Sequence, residues 1–169
     1  AGRIHARREL ENYLLDPHIL VRAVTSKRQE RERRSGPYET TEIDITNIFD
    51  QAAQELRHEV FAQLLAKEFE YLRAKKTGVD QSTINIKVSK EFEQKWAAPD
   101  GRLALVSGKE VLAKANLRLQ TALGISVSDS HLASQFKPDE IHSDIRRLLP
   151  EVAVFWKDIL ADYAWLVEY

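Results

Sequence analysis

A mainly α chain with a small β element, an α+β fold, is predicted by three patterns in the sequence. Apolar residues Ile45, Ile48, Phe49, Ala52, Leu56, Val60, Leu64, Leu65, Phe69 and Leu72 recur at intervals of three and four, the spacing of one helical face. Val111, Leu112, Ala115, Leu119 and Leu123 repeat that spacing and end at Gly124, a C-terminal helix stop. Thr83 to Val88 instead alternates polar and apolar residues, the period of a half-buried strand.

The elements follow in order. His5 to Leu15 reads as a helix with Leu10, Tyr13 and Leu14 on one face, stopped by Pro17, which biases Asp16 out of the α region. Ile19 to Val24 is a second short apolar stretch. Residues 25–40 hold Ser26 to Pro37, a charged run with nothing to bury, read as an exposed linker or a helix extension. Residues 41–82 form the long helical segment, with Thr41 or Asp44 as its cap. From Asp44 to Lys75 it would span roughly 45 Å at ~1.5 Å per residue, so it either breaks once or projects as an arm that packs on a partner. Residues 83–169 hold the strand and a helical subdomain. In it Ser89 caps a short helix carrying Phe92 and Trp96, and Leu103 to Val106 is a second strand candidate. Ser128 caps a helix through Phe136, another runs from Pro138 to about Leu149, and Pro150 opens an apolar final helix. Trp96, Trp156 and Trp165 read as core.

Composition narrows the function classes. The 169 residues carry 25 Lys+Arg against 26 Asp+Glu, a net charge of -1, which excludes a histone-like polycation but not a local basic patch. Cysteine is absent, which excludes disulfides, thiolate nucleophiles and Cys-based zinc sites and fits a reducing, cytoplasmic setting. No apolar run approaches the ~18–20 residues of a membrane-spanning helix, so no membrane partner is expected. The chain opens on Ala1-Gly2-Arg3 without Met or an apolar leader and is read as a portion of a longer protein.

Few residues are placed for chemistry. On an α-helix Glu9 and Glu11 lie about 200° apart and cannot share one metal ion. Glu11 stands one turn after Arg7, which suits an exposed ion pair, and His5 and Glu9 have the same spacing without a second pair to complete a metal site. Gly108-Lys109-Glu110 invites comparison with a phosphate-binding loop. It lacks the earlier glycine, since position 103 is Leu, and the hydroxyl residue after the lysine, since position 110 is Glu, so no ATP site is expected here. Lys109 falls in the first turn of a helix, where the macrodipole disfavours a cation. It is either a solvated lysine whose stem covers apolar surface or, with Gly108 letting the backbone approach closely, a cation held toward an anion. No Ser-His-Asp order, no H-E-x-x-H and no D-x-D pair is present.

Arg8-Glu9-Leu10-Glu11-Asn12-Tyr13-Leu14-Leu15, ending in Asp16-Pro17, resembles the R-E-[IL]-E-N-Y-L-L-x-P stretch of the OLD (overcoming lysogenisation defect) family of nucleases. Phe92 to Trp96, a turn, and Val106-Ser107-Gly108-Lys109-Glu110-Val111-Leu112 resemble its later W…GK-[DE]-V-L segment, and Ile125 to Ser128 with Phe136 resembles its ending. That family joins an N-terminal ABC-type ATPase to a C-terminal Toprim nuclease. The resemblance therefore implies a helical C-terminal region adjoining a Toprim domain, residues 1–24 being its tail, in a metal-dependent DNA endonuclease of phage defence or DNA processing. It implies Glu11 as a metal ligand or the support of one, Lys109 as the catalytic lysine at the scissile phosphate, and Mg or Mn as the ion. ATP would enter only through the ATPase domain, which lies outside this chain. The partners implied are DNA, with basic residues between Arg22 and Arg34 along its backbone, and the remainder of the parent chain. The upstream Toprim carboxylates are not in this sequence, so the fragment alone is expected not to cleave. The alternative is a non-catalytic helical module for homodimerisation or docking within a larger ATPase. A stand-alone small-molecule enzyme has neither a cofactor motif nor an acid/base pair to support it.

Overall fold

The computed structural model describes residues 9–75 and 78–147. The chain divides into two compact units, residues 7–135 and a second made of 1–6 with 136–169. Among the described residues the structure is helical and holds no strand.

The larger unit begins with a 3₁₀ helix, Leu10–Leu14. Asp16 then caps helix α1, Pro17–Ser35, accepting from the backbone N–H groups of His18 and Ile19, with Pro17 in the first turn, where its missing N–H costs nothing. The proline thus starts a helix as well as ending one. The charged run continues α1 to Ser35, where Gly36 (φ 76°) turns the chain away. The long apolar pattern becomes a 3₁₀ turn, Ile45–Asn47, helix α2, Ile48–Glu55, and helix α3, Arg57–Ala74, with the break at Leu56. Helix α4 is Gln81–Trp96, α5 is Pro99–Leu105, α6 is Gly108–Leu123 and α7 is Asp129–Ala133.

Both strand expectations are corrected. Thr83 to Val88 lies inside α4. Asp80 caps it, its carboxylate accepting from the backbone N–H groups of Ser82 and Thr83, and Ile84, Val88, Phe92 and Trp96, each four apart, form its buried stripe. Ile86 would share a strand face with Ile84 and Val88, yet it is 69% exposed on the opposite side of the helix. Ser89 consequently sits mid-helix and caps nothing. Leu103 to Leu105 belongs to α5, opened by Pro99, with Leu103 and Val106 buried. The segment 125–128 is extended, but its partner is a side chain: the Asn116 amide donates to Val127 O and accepts from Val127 N, each at 2.8 Å.

The core gathers where α2 packs on α5 and α6, and where α1 meets α7 and the 45–47 turn. Ile19, Leu20, Val24, Ile48, Phe49, Val106, Val111, Leu119 and Leu132 are all buried there. Burial of side chains this size stabilises by about 1.5–3 kcal/mol each before the entropy of ordering is subtracted. Arg102 ties α5 to α2 through Asp50 at 2.7 Å, and Lys114 and Arg118 tie α6 to Glu55 of α2. Helices α3 and α4 pair with each other, with Phe92 stacked on Trp96 and tilted against Phe61. In the second unit the described residues form a turn closed by Lys137 N–H on Glu140, then a helix over 143–147. The final apolar helix, with Trp156 and Trp165, lies outside the described residues. Among the described residues no helix is long and apolar enough to cross a membrane.

The Asp80 cap makes α4 acid-sensitive. The Ser82 hydroxyl, then the Thr83 hydroxyl and backbone, hold the Asp80 carboxyl far below its ordinary range. A depressed folded pKa means the cap's contribution is complete above the ordinary carboxylate range and is lost as the pH falls through the lowered folded value. Asp80→Asn keeps a cap without a titrating group. It should leave the urea midpoint near neutrality almost unchanged and flatten its decline at acid pH. An acid decline as steep as the wild type's would refute this.

Candidate functional site

The two residues singled out for chemistry start 98 positions apart, and the fold brings them together. The first 3₁₀ helix packs across the start of α6, and the Glu11 carboxylate lies 3.3 Å from Lys109 Nζ. The lysine is 74% exposed and the glutamate 25%, so the pair stands at the surface with the ammonium open to solvent. Glu11 is held below its ordinary pKa, first by its own backbone N–H, then, against the opposing cost of burial, by hydrogen bonding and charge from Lys109. An ion pair this exposed adds about 0–1 kcal/mol to stability. The architecture around it is more elaborate than that gain requires.

Three contacts build the junction beneath the pair. Asn12 is fully buried, and its Nδ2 donates to Leu103 O at 2.6 Å and Val106 O at 2.9 Å. Those carbonyls end α5, where a helix runs out of its own donors. Glu9, extended just before the 3₁₀ helix, accepts from the Gly108 N–H at 3.0 Å and the Ser107 hydroxyl at 3.2 Å. Its carboxylate therefore supplements Ser107, the cap of α6, at the positive end of that helix. Gly108 completes the fit, because a Cβ there would lie 2.8–2.9 Å from Asn12 N, Asn12 Oδ1 and Glu11 C. Glu9 and Glu11 thus separate into different tasks: Glu9 faces the α6 terminus and Glu11 faces Lys109.

This surface offers an ammonium that an incoming anion can reach and one carboxylate beside it. Among the described residues no group of three or more His, Asp or Glu side chains could hold a metal ion. Magnesium takes an octahedral oxygen shell, so Glu11 fits as one donor of a shared site and does not form one alone. His5 and Arg7, the other partners considered for Glu9 and Glu11, lie outside the described residues.

The basic stretch is largely committed elsewhere. Arg22 donates to Gln135 O at 2.6 Å. Arg31 donates to Leu123 O at 2.9 Å and Gly124 O at 2.6 Å, with its guanidinium 4.0 Å over the Tyr38 ring. Lys27 and Arg34 both pair with Glu30, and Arg33 reaches Gln29 O. Arg31 is a C-terminal clamp on α6, whose last residue is followed by Gly124 in the left-handed region (φ 63°). Arg31→Met keeps the stem but removes both hydrogen bonds, and should lower the unfolding free energy by about 2 kcal/mol. A denaturant titration showing no loss would return Arg31 to the solvated face that the sequence suggests.

Asn12 is a structural residue with no role in the sequence patterns, its only signal being an amide among Leu10, Tyr13 and Leu14. Glu9 is weighed there only as a metal ligand, and the structure shows it accepting from Ser107 and Gly108 at the start of α6. No protein-family model matches this chain, and no curated protein or solved structure matches it either.

Proposed function

We propose that this chain is the helical C-terminal part of a metal-dependent DNA endonuclease of the OLD type, with Lys109 and Glu11 at its catalytic edge. The observation that carries the reading is the 3.3 Å approach of those two side chains, each drawn from a different stretch of the resemblance. Lys109 meets the non-bridging oxygens of the scissile phosphate, where charge grows in the transition state. Glu11 contributes one oxygen ligand to Mg or Mn, or orients a neighbouring ligand, and keeps the ammonium on the surface between substrate contacts. The bound ion supplies charge neutralisation at the phosphate and activation of water. Its other ligands come from Toprim carboxylates outside this chain, so the isolated fragment is inactive. ATP acts through the ATPase part of the intact protein, and the setting is the cytoplasm. In the intact protein, Lys109→Ala and Glu11→Gln should each stop DNA cleavage and leave ATP hydrolysis unchanged. Retained cleavage would remove the corresponding residue from the mechanism.

A second reading is a non-catalytic dimerisation or docking module. It is favoured by the α3–α4 hairpin, where Val60 is the one fully buried residue of α3 and Tyr71, Val79 and Ile86 are exposed. Size-exclusion chromatography with light scattering separates the two readings in part, since a stable monomer at high concentration counts against this one.

A further inference from the structure

If Glu11 and Lys109 are the working unit proposed above, the junction beneath them sets the geometry of the pair. We propose that Gly108 is a positioning residue. By lacking a side chain, it lets the 3₁₀ helix seat against the first turn of α6, and that seating, pinned by Asn12 and Glu9, holds the Glu11 carboxylate on Lys109.

The constraint at Gly108 is steric first. Gly108 is the first residue of α6, and glycine is among the poorest helix formers, so it is not there for helix stability. Its φ is not in the left-handed region, so backbone conformation does not demand it either. What demands it is space. The Cβ of any other residue would meet the backbone of Glu11 and Asn12 at under 3.0 Å, and backbone cannot swing away as a side-chain tip can. The displaced element would be the one carrying Glu11.

Polar contacts then fix the direction of the approach. Asn12 binds the end of α5 on one side of Glu11, and Glu9 binds the start of α6 on the other. The carboxylate between them has little freedom to slide along α6. Lys109, by contrast, is on a long flexible stem and needs the carboxylate delivered to it. Gly108 and Lys109 are adjacent, so the close approach occurs one residue away from the ammonium it serves.

Carbodiimide coupling reads this directly, because it joins a carboxylate and an amine in contact without adding a spacer. In this chain, peptide mass spectrometry should find a Glu11–Lys109 link, together with Glu55–Lys114 and Glu68–Lys87 links from ion pairs of 3.1 and 2.8 Å elsewhere. Gly108→Ala should abolish the Glu11–Lys109 link and retain the other two. Retention of all three would overturn the proposal. If Gly108→Ala loses all three through unfolding, Glu9→Ala decides, since it loosens the outer edge of the junction only. The Glu11–Lys109 link must then weaken selectively, and an undiminished link overturns the proposal.

Function is read separately, in the intact protein. Gly108→Ala should lower the cleavage rate about a hundredfold at saturating DNA, as a misplacement of about 1 Å does, with ATP hydrolysis unchanged. A lost link with unchanged cleavage would leave the positioning role standing and remove the Glu11–Lys109 pair from the cleavage mechanism instead.

Discussion

Asn12→Ala is expected to lower the unfolding free energy of this chain by roughly 3–5 kcal/mol, a large effect for a polar residue. The side chain is wholly buried and donates two hydrogen bonds to main-chain carbonyls more than ninety residues away. Alanine removes both donors and leaves Leu103 O and Val106 O facing the space the amide filled. Each stranded acceptor costs about 1–3 kcal/mol, and the vacated volume adds to that. Asn12→Asp keeps the shape but points a carboxylate oxygen at the same carbonyls, so it should be at least as damaging near neutrality and partly recover where the acid form can donate. Urea unfolding of the three proteins with an unchanged m-value would measure this. A loss below about 1 kcal/mol for Asn12→Ala would mean that water replaces the amide and that the junction is looser than its distances suggest.

The same residue shows where sequence reading stops. Helical stripes such as Val111, Leu112, Ala115, Leu119 and Leu123 are legible because a period is a local property, and α6 runs to the predicted Gly124 stop. Asn12 is illegible as a lock because both of its acceptors are chosen by packing between distant elements. The strand expected at Thr83 to Val88 failed on period. Ile84 and Val88 satisfy both an alternating and an i,i+4 pattern, and Ile86 between them completes the first. Continuing by fours to Phe92 and Trp96 resolves the ambiguity, since a strand has no reason to keep that interval. Arg22 and Arg31 misled in the other direction. In sequence Arg31 belongs to an exposed charged run and Arg22 interrupts the apolar stretch before it, and the fold spends both on main-chain carbonyls of distant segments. Gly108 was the most legible part of the site, because a glycine opening a helix beside a lysine already suggests a close backbone approach.

The decisive test of function is Lys109, and its expected effect is larger than any on stability. The lysine is 74% exposed, so Lys109→Ala should move the unfolding free energy of this chain by no more than about 0.5 kcal/mol. In the intact protein the same change should cut DNA cleavage by about two to three orders of magnitude, the usual consequence of removing one preorganised contact to a developing anion. That contrast separates a catalytic from a structural lysine. Lys109→Arg sharpens it. Arginine preserves the charge but presents a broad planar fork where lysine presents a compact point, so it should pair with Glu11 and recover only part of the rate. Full recovery would mean that charge alone is needed, as in a steering contact, and the rate would then fall steeply with salt. No change in any variant would place Glu11 and Lys109 among ordinary surface ion pairs and shift the weight to the helical hairpin as a docking module. Cleavage lost with ATP hydrolysis intact would tie a surface worth almost nothing to folding to the chemistry of the phosphate.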